Sequence, residues 1–346
     1  MTPDDVHIGT LAAAVTQIAS GTTTLGDWCH ANLTPDHTDA AIAALQEAGI
    51  RGVVLHGAQM GSGHRREEIE RLLASGAFSK DGLLTLGLAV AGPLYSPPDV
   101  AEADLSLARE FDLIAAMHHS GGPVCPPEIW HGLIKKGLIG PHVNIVHGNT
   151  IGNDLLDRLV DAGVNFTITP EVEMNDGHGH PITGRLRKRG IAPAIGIDIE
   201  SAISPNLLFA AGVAMVHQRA LDAELTLTEQ RSGTVRIHRI EALHWITGAG
   251  ARALGLAAQV GVIAPGRQAD LTIIDGRALD LWPNNDPVAT VLRAGSAHVE
   301  AVLIAGRRVK SGHALIFDNV EGLMDELREA GERILAAADL PPAALS

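Results

Sequence analysis

Aromatic side chains are scarce in this sequence, at 3% of 346 residues, so the hydrophobic core has to be built mainly from aliphatic residues. Hydrophobic residues together make up 46%, which is enough for one large domain with a small appendage. Only two cysteines occur, Cys29 and Cys125, and they do not form the framework of a disulfide-rich fold. This cysteine usage favours a reducing cytoplasm.

Long apolar runs and excess positive charge are also missing. No run approaches the length of a membrane-spanning helix, and we expect no signal peptide, because the first residues lack its basic and apolar regions. The net charge of −14 argues against nucleic acid or an anionic membrane surface as a partner. Neither a glycine-rich phosphate loop nor a GxSxG nucleophile elbow is present.

Short apolar runs alternate with longer amphipathic stretches between residues 22 and 198. Such alternation is typical of parallel strands joined by helices, and runs that are apolar on both faces favour a barrel. The predicted strands are Thr22–Trp28, Gly52–His56, Leu83–Val90, Leu113–His118, Val143–His147, Val164–Thr169 and Pro193–Asp198. The predicted helices between them are Asp36–Ala48, Arg65–Ala74, Pro98–Glu110, Asn153–Ala162 and Ile182–Arg189.

An eight-stranded (β/α)8 barrel needs one more strand, yet residues 5–19 predict a helix. We therefore expect an α/β fold of the TIM-barrel type with its first strand missing or replaced. Residues 260–315 alternate apolar and polar positions with glycine turns, which predicts a small β-sandwich segment. Further helices are predicted at Asn206–Ala220, Val235–Leu254 and Val320–Ala338. The expected domains are the barrel at 1–258, the sandwich segment at 259–315 and a helix with tail at 316–346.

Polar residues stand at the carboxyl ends of the predicted strands, where the functional groups of a parallel barrel lie. Histidines occur at four of these ends, and Asp198 ends the last one. A single strand-end histidine is more often a hydrogen-bonded structural residue, and this interpretation stays open for His56 and His119. Repetition at successive ends favours one shared site, and His with Asp suits a divalent transition metal. The histidines are His30, His56, the pair His118 and His119, and His147.

Another polar cluster, Pro170–Pro181, follows the strand predicted at Val164–Thr169. Its glycine spacing and its lack of apolar periodicity predict a loop over the barrel mouth. Glu171, Glu173 and His178 lie in it. The loop is either a solvated polar segment or a source of acid, base and ligand groups, and the density of such groups favours the second interpretation.

These stretches resemble the amidohydrolase superfamily, in the branch of cytosine deaminase and the s-triazine hydrolases. Ser20–Thr24 resembles its second strand, AMHHSGG and IVHGN resemble the histidine-bearing fifth and sixth strands, and Gly196–Asp198 resembles its eighth strand. The most specific likeness is the segment GVIAPGRQADLTIID, in which Gly266-x-x-Ala269-Asp270-Leu271 is similar to the family's returning β-sandwich.

The resemblance implies that His118 is a metal ligand and that Asp198 touches the metal and takes the proton of the attacking water. It implies that His147, also a candidate ligand, holds the water or the substrate oxygen. Such chemistry is coherent, since a metal lowers the pKa of bound water and a carboxylate accepts its proton. The expected metal is zinc, with iron or manganese as alternatives. The expected substrate is a small nitrogen heterocycle or cyclic amide, and a homodimer stays open.

The sequence also departs from the family pattern. The first strand with its His-x-His ligands is absent, Gly121 stands where an acid is expected, and Ile168-Thr169-Pro170 replaces a His-Cys-Pro sequence. Two expected metal ligands and the usual proton shuttle are therefore missing. The replacements that we predict are Glu171 and Glu173 as catalytic groups and His30 and His178 as metal ligands.

Three interpretations follow. A truncated start would leave part of a metal-dependent hydrolase of C–N bonds other than peptide bonds, acting by deamination, dechlorination or cyclic-amide hydrolysis. A genuinely short protein would use a rebuilt site, for hydrolysis or for a different reaction, and the residues of that site would be His30, His118, His147, His178 and Asp198. A degenerate relative would serve a binding role or run a different reaction. An unpaired strand edge invites pairing, so we expect residues 1–20, the C-terminal helix or a second subunit to fill the gap.

Overall fold

The computed structural model describes residues 1–58, 62–79, 82–120, 125–228 and 237–338. Its centre is a curled parallel sheet of seven strands in chain order. All seven predicted runs supply a strand, which confirms the α/β barrel-type fold. The strands are β1 Thr24–Cys29, β2 Arg51–Gly57, β3 Leu84–Ala89, β4 Ile114–His119, β5 Val143–His147, β6 Asn165–Ile168 and β7 Ala194–Ile195.

Helices follow most of these strands and cover the outside of the sheet. They are α1 Pro3–Ala19, α2 Pro35–Ala48, α3 Arg66–Ala74, α4 Gly92–Tyr95, α5 Pro98–Glu110, α6 Pro127–Lys135, α7 Asn153–Asp161, α8 Pro170–Asn175, α9 Thr183–Arg187, α10 Leu207–Thr228, α11 Arg239–Trp245, α12 Gly248–Ala253, α13 Pro287–Arg293 and α14 Val320–Ala337. Proline stands in the first turn of many of them, where its missing N–H costs no hydrogen bond. None of the helices in the described ranges is both long and apolar enough to cross a bilayer.

The core between strands and helices is mostly aliphatic, as the composition predicts. Ile50, Leu86, Leu88, Leu105 and Ile145 are fully buried there. A second apolar group lies inside the curl of the sheet, where Leu55, Ala89 and Ala116 contact residues that follow α12. Apolar side chains therefore fill part of the inside of the curl.

A separate antiparallel sheet follows, made of β8 Leu271–Ile274, β9 Val299–Ile304, β10 Arg307–Ser311 and β11 Ala314–Leu315. A buried ion pair joins it to the barrel. Arg51 Nε donates to Asp270 Oδ2 at 2.6 Å and Arg51 Nη2 donates to Asp270 Oδ1 at 3.1 Å. The backbone N–H of Ala305 also donates to Asp270 Oδ1, at 2.8 Å. Asp270, part of the most specific sequence likeness, therefore has a structural role.

Two local predictions were wrong. The helix predicted at Val235–Leu254 is interrupted in its described part, because Thr247 adopts a non-helical conformation (φ −125°, ψ −95°) between α11 and α12. The loop predicted at Pro170–Pro181 begins with α8, since Pro170 in the first turn, followed by Glu171 and Glu173, favours a helix start. Residues 235 and 236 lie outside the described part of the chain.

The edge strands of the sheet are β1 and β7. β1 pairs with β2 and β7 pairs with β6, and no strand in the described ranges pairs with the other side of either. The expected fillers lie elsewhere: α1 packs against α2 and α14, so neither residues 1–20 nor the C-terminal helix enters the sheet. The gap between β7 and β1, here called the seam, is therefore not filled by these elements.

We expect Asp270→Ala to lower the free energy of unfolding by about 3–5 kcal/mol, because it leaves the buried charge of Arg51 uncompensated. Urea denaturation followed by circular dichroism measures this loss. Glu110→Gln, which breaks an exposed ion pair with Arg66, is the matched control and should change the midpoint little. Equal midpoints for the two variants would contradict a structural role of the Arg51–Asp270 pair.

Candidate active site

Three predicted site residues meet at the carboxyl ends of neighbouring strands. His118 is the last but one residue of β4, His147 ends β5, and Asp198 follows β7. The ring centroids of His118 and His147 are 5.3 Å apart, and His147 Nε2 lies 3.5 Å from Asp198 Oδ2. The structure thus brings these three side chains together at one rim of the sheet.

A buried carboxylate contacts Nδ1 of His147, the ring nitrogen that does not face Asp198. His147 Nδ1 lies 3.3 Å from Glu173 Oε1, and both side chains are at most 2% exposed. Glu173 also accepts the backbone N–H of Thr169 at 2.8 Å and the side-chain amide of Asn149 at 3.3 Å. A carboxylate at Nδ1 favours the tautomer with a proton on Nδ1, so the Nε2 lone pair points into the site.

Two acceptor atoms consequently face each other across the site. With Nδ1 protonated, His147 Nε2 and Asp198 Oδ2 are both acceptors, separated by 3.5 Å. The hydroxyl of Thr169 bridges the same groups, lying 3.0 Å from His147 Nδ1 and donating to Asp198 Oδ2 at 3.5 Å. Two acceptors at this distance need a proton, a water or a cation between them. The pair is therefore suited to hold and move a proton.

Backbone strain marks the same two residues. His147 and Asp198 both adopt the left-handed region, with φ of 70° and 71°. This conformation is unfavourable for residues other than glycine and recurs at functional sites, where the surrounding structure enforces it. His147 and Asp198 thus share an unfavourable backbone conformation at the rim.

His118 lies among other rings on the inner wall. The Trp28 ring is 4.1 Å from that of His118, and the His30 ring is 5.8 Å from it. Burial, together with the neighbouring His147, His30 and His178, lowers the pKa of His118 to about 3. His118 is therefore neutral at physiological pH, with a free lone pair. Burial also lowers the pKa of His30, while the charge of Asp198 opposes that shift.

The three candidate residues of the segment Pro170–Pro181 have different surroundings. The His178 ring lies edge-on to that of His147 at 5.2 Å, and His178 Nδ1 is buried without a hydrogen-bond partner among the described residues. Glu173 reaches His147, whereas Glu171 is turned towards the backbone of Ser204, and burial raises its pKa. Glu171 thus contacts Ser204, whereas Glu173 contacts His147.

Two strand-end histidines have structural surroundings. His56 lies against His64, with ring centroids 5.5 Å apart. His119 lies 3.2 Å from the hydroxyl of Thr150 through Nδ1, and its ring packs near Trp130. His119 thus has a hydrogen-bond partner, whereas His56 Nδ1 is buried without one among the described residues. Gly121, which replaces the expected acid, lies outside the described residues.

Sequence reasoning missed three residues that shape the site: Trp28, Asn149 and Thr169. Trp28 and Thr169 stand at the ends of predicted strands, and this position was the available signal. Thr169 was noted only as the replacement for a cysteine. Asn149 carries no such signal, because its role depends on α8 turning Glu173 back towards His147.

The fit of a metal ion is incomplete. Histidine and aspartate are suitable donors for zinc, and the neutral His118 is ready to ligate. Within the described ranges, however, no group of three or more His, Cys, Asp and Glu is placed to hold a metal. Two cavities of about 380 and 520 Å³ lie at the amino-terminal ends of β6 and β7 and beside α11, away from all these residues. The side chains present thus do not form a complete metal site.

The chain is similar to known hydrolases. The model of the amidohydrolase family matches residues 128–310. A 5-methylthioadenosine/S-adenosylhomocysteine deaminase from Symbiobacterium thermophilum is 27% identical, over 97% of this chain and 77% of its own length.

Two solved structures show the same fold. A zinc-bound adenosine deaminase from Xanthomonas campestris has a TM-score of 0.77 at 22% identity, covering 97% of this chain and 76% of its own. A mutant atrazine chlorohydrolase from Arthrobacter aurescens, complexed with zinc and atraton, has a TM-score of 0.82 at 19% identity. It covers 95% of this chain and 77% of its own.

The buried His56 gives a stability prediction that depends on pH. Burial, with His64 nearby, lowers its pKa from 6.5 to about 4. Between these values the unfolded chain binds the proton and the folded chain does not, so stability falls as the pH drops from 6.5 to 4. We expect His56→Gln to flatten this fall by up to roughly 3 kcal/mol.

Urea denaturation at pH 7.5 and at pH 4.5 measures the effect. His313→Gln replaces a partly exposed histidine and is the matched control, which should keep the slope of the wild type. An unchanged slope in His56→Gln would show that His56 titrates normally in the folded chain.

Proposed function

We propose that this chain, which belongs to the amidohydrolase family, hydrolyses a C–N bond in a small nitrogen heterocycle and that its reaction is a deamination. The relatives and structural neighbours named above are deaminases or hydrolases, which supports the reaction class. The single observation that carries the proposal is the approach of His147 Nε2 to Asp198 Oδ2 at the carboxyl rim.

In this proposal Asp198 is the general base. Its carboxylate, with a side chain 20% exposed, accepts a proton from a water that attacks the ring carbon bearing the amino group. His147 holds the same water from the other side, because its unprotonated Nε2 accepts a hydrogen bond from that water. The new C–O bond forms, the C–N bond breaks, and the amino group leaves as ammonia with the proton passed on from Asp198.

Glu173 and Thr169 act through these two groups. Glu173 is fully buried at His147 Nδ1, so it fixes the tautomer and the orientation of the ring without touching the substrate. Thr169 joins the two catalytic side chains through its hydroxyl. Both are therefore positioning residues in this proposal.

Zinc in two similar structures suggests a divalent metal for this chain as well, with iron or manganese as alternatives. In the family such an ion activates the attacking water. Of the residues here, His118 and Asp198 have the chemistry to ligate it, with His30 and His178 near them. Since no three described donors converge, the steps above are derived from the chain's own groups.

The rings of Trp28 and His118 form an aromatic wall at the rim, and this wall favours a planar substrate. Trp28 is half-buried at the inner rim and contacts His118, and an indole offers a stacking surface for a flat heterocycle.

One observation favours a second candidate function, namely that the described residues lack a three-donor metal group. A relative that binds such a heterocycle without hydrolysing it would have the same wall.

Asp198→Asn should lower kcat/KM by a factor of about 100 to 10,000, because the amide cannot take the proton of water. The assay is release of ammonia from a panel of aminopurine nucleosides, guanine and cytosine. Asp176→Asn, which changes an exposed aspartate in the segment Pro170–Pro181, is the matched control and should keep wild-type activity. Equal activity of the two variants would remove Asp198 from the mechanism, and no turnover of the panel by the wild type would favour the binding role.

Glu173→Gln should lower kcat while leaving KM within about twofold, because the substrate does not contact this residue and only the orientation of His147 is lost. Steady-state kinetics on the best substrate of the panel measure both constants. A rise in KM with unchanged kcat would instead place Glu173 in substrate binding. Far-ultraviolet circular dichroism controls for folding.

A further inference from the structure

We infer that His180 and His217 form a metal site of their own, which binds Cu²⁺ or Ni²⁺ and attaches a strap beside the candidate active site to α10. The strap is the segment of residues 176–182, which joins α8 to α9. The inference does not depend on the proposed function, because the site uses neither His147 nor Asp198 and binds its ion without substrate.

Two ring nitrogens face each other where the strap meets α10. His180 Nδ1 lies 2.9 Å from His217 Nε2, and the two rings are stacked, with centroids 5.0 Å apart and planes inclined by 26°. Only one proton fits between two nitrogens at this distance, so one ring donates and the other accepts. A divalent ion that displaces this proton would be bound by the lone pairs of both rings.

The spacing of the two nitrogens selects the kind of ion. Bonds from a metal to imidazole are about 2.0–2.1 Å long, so two nitrogens 2.9 Å apart correspond to an angle of about 90° at the ion. Neighbouring ligands make this angle in the square-planar or tetragonal geometry that Cu²⁺ and Ni²⁺ prefer, whereas tetrahedral zinc needs a wider spacing. The pair therefore favours Cu²⁺ and Ni²⁺ over zinc.

Water supplies the remaining donors of this site. His180 is exposed and His217 is half-buried, so solvent reaches the ion from outside. Within the described ranges no third His, Cys, Asp or Glu joins the pair in a group that could hold a metal. The site is therefore open and its ion exchangeable, in contrast to a structural metal site closed by four side chains.

The ion would join two elements of different kinds. His217 lies on the long helix α10, which packs against α8 and α9, whereas His180 lies on the strap. Two hydrogen bonds also hold the strap. The N–H of Gly179 donates to the carbonyl of Glu173 at 3.2 Å, and the side-chain amide of Asn149 donates to the carbonyl of His180 at 3.0 Å. A bound ion adds an attachment to α10.

This attachment concerns the candidate active site because the strap also carries His178, whose ring lies 5.2 Å from that of His147. Gly177 and Gly179 flank His178, with φ of 74° and 110°. A Cβ added at either glycine would meet nothing within 4 Å, so neighbouring atoms leave space for backbone rotation there. An ion between His180 and His217 therefore limits the movement of His178 relative to His147.

Titration of the full chain with Cu²⁺, Ni²⁺ and Zn²⁺ against a chelating dye tests the inference. Cu²⁺ should bind most tightly and Zn²⁺ least, and electron paramagnetic resonance should show a tetragonal Cu²⁺ site with two nitrogen donors. His180→Ala and His217→Ala should each weaken this binding at least about 10-fold, because losing even a residue that supports a ligand costs that much. His313→Gln, which replaces another exposed histidine, is the matched control and should bind Cu²⁺ like the wild type.

His118→Ala separates this site from the rim. The variant should keep the Cu²⁺ signal with two nitrogen donors, and loss of that signal would overturn the inference, since the ion would then lie at the rim. Equal Cu²⁺ affinity of the wild type, His180→Ala and His217→Ala would overturn it as well, and so would tighter binding of Zn²⁺ than of Cu²⁺.

Hydrogen exchange measures the attachment of the strap. Ni²⁺ should slow amide exchange in residues 177–182 of the wild type, leave α7 unchanged, and have no such effect in His217→Ala. Exchange in the strap that does not respond to Ni²⁺ would contradict the attachment. Neither measurement needs turnover, so a failure of the proposed deamination would leave this inference standing, and loss of the metal site would leave the deamination standing.

Discussion

The parallel register of β4 to β7 is the constraint on which the site depends. His118 pairs with Val146, Val146 pairs with Thr167, and Thr167 pairs with Ala194, so consecutive strand ends reach the same rim. A slip of one residue would send each inward side chain to the helix-covered face. The aliphatic packing on both faces of the sheet fixes this register, and so the chemistry of the rim follows from the packing of the core.

The buried polar network behind His147 completes the arrangement. A carboxylate as deeply buried as Glu173 is costly unless its oxygens are bonded, and here Thr169, Asn149 and His147 all contact it. The same contacts orient His147, whose backbone is strained. Stability and function are thus coupled, because the network that satisfies Glu173 also aims the imidazole at Asp198.

Much of this could be predicted from the sequence, since strand periodicity and strand-end polarity are local signals. They located all seven strands and identified His118, His147 and Asp198 as candidate site residues. The short helix α8 escaped prediction, because six residues around Pro170 carry too little periodicity. The contacts of Glu173, Thr169 and Asn149 could not be predicted, since they depend on how α8 folds back over β5. The missing strand was predicted, and with it a gap in the sheet. That α1 and α14 pack outside this gap could not be predicted, because it depends on tertiary contacts.

A double-mutant cycle on Asp198 and His147 tests the central claim most directly. The measured quantity is kcat/KM for Asp198→Asn, His147→Gln and the double variant. If the two side chains act on one water, the double variant should be hardly slower than the slower single variant, because residues that work as a unit are strongly non-additive. Losses that multiply would mean that the two groups act independently, and would contradict the shared site.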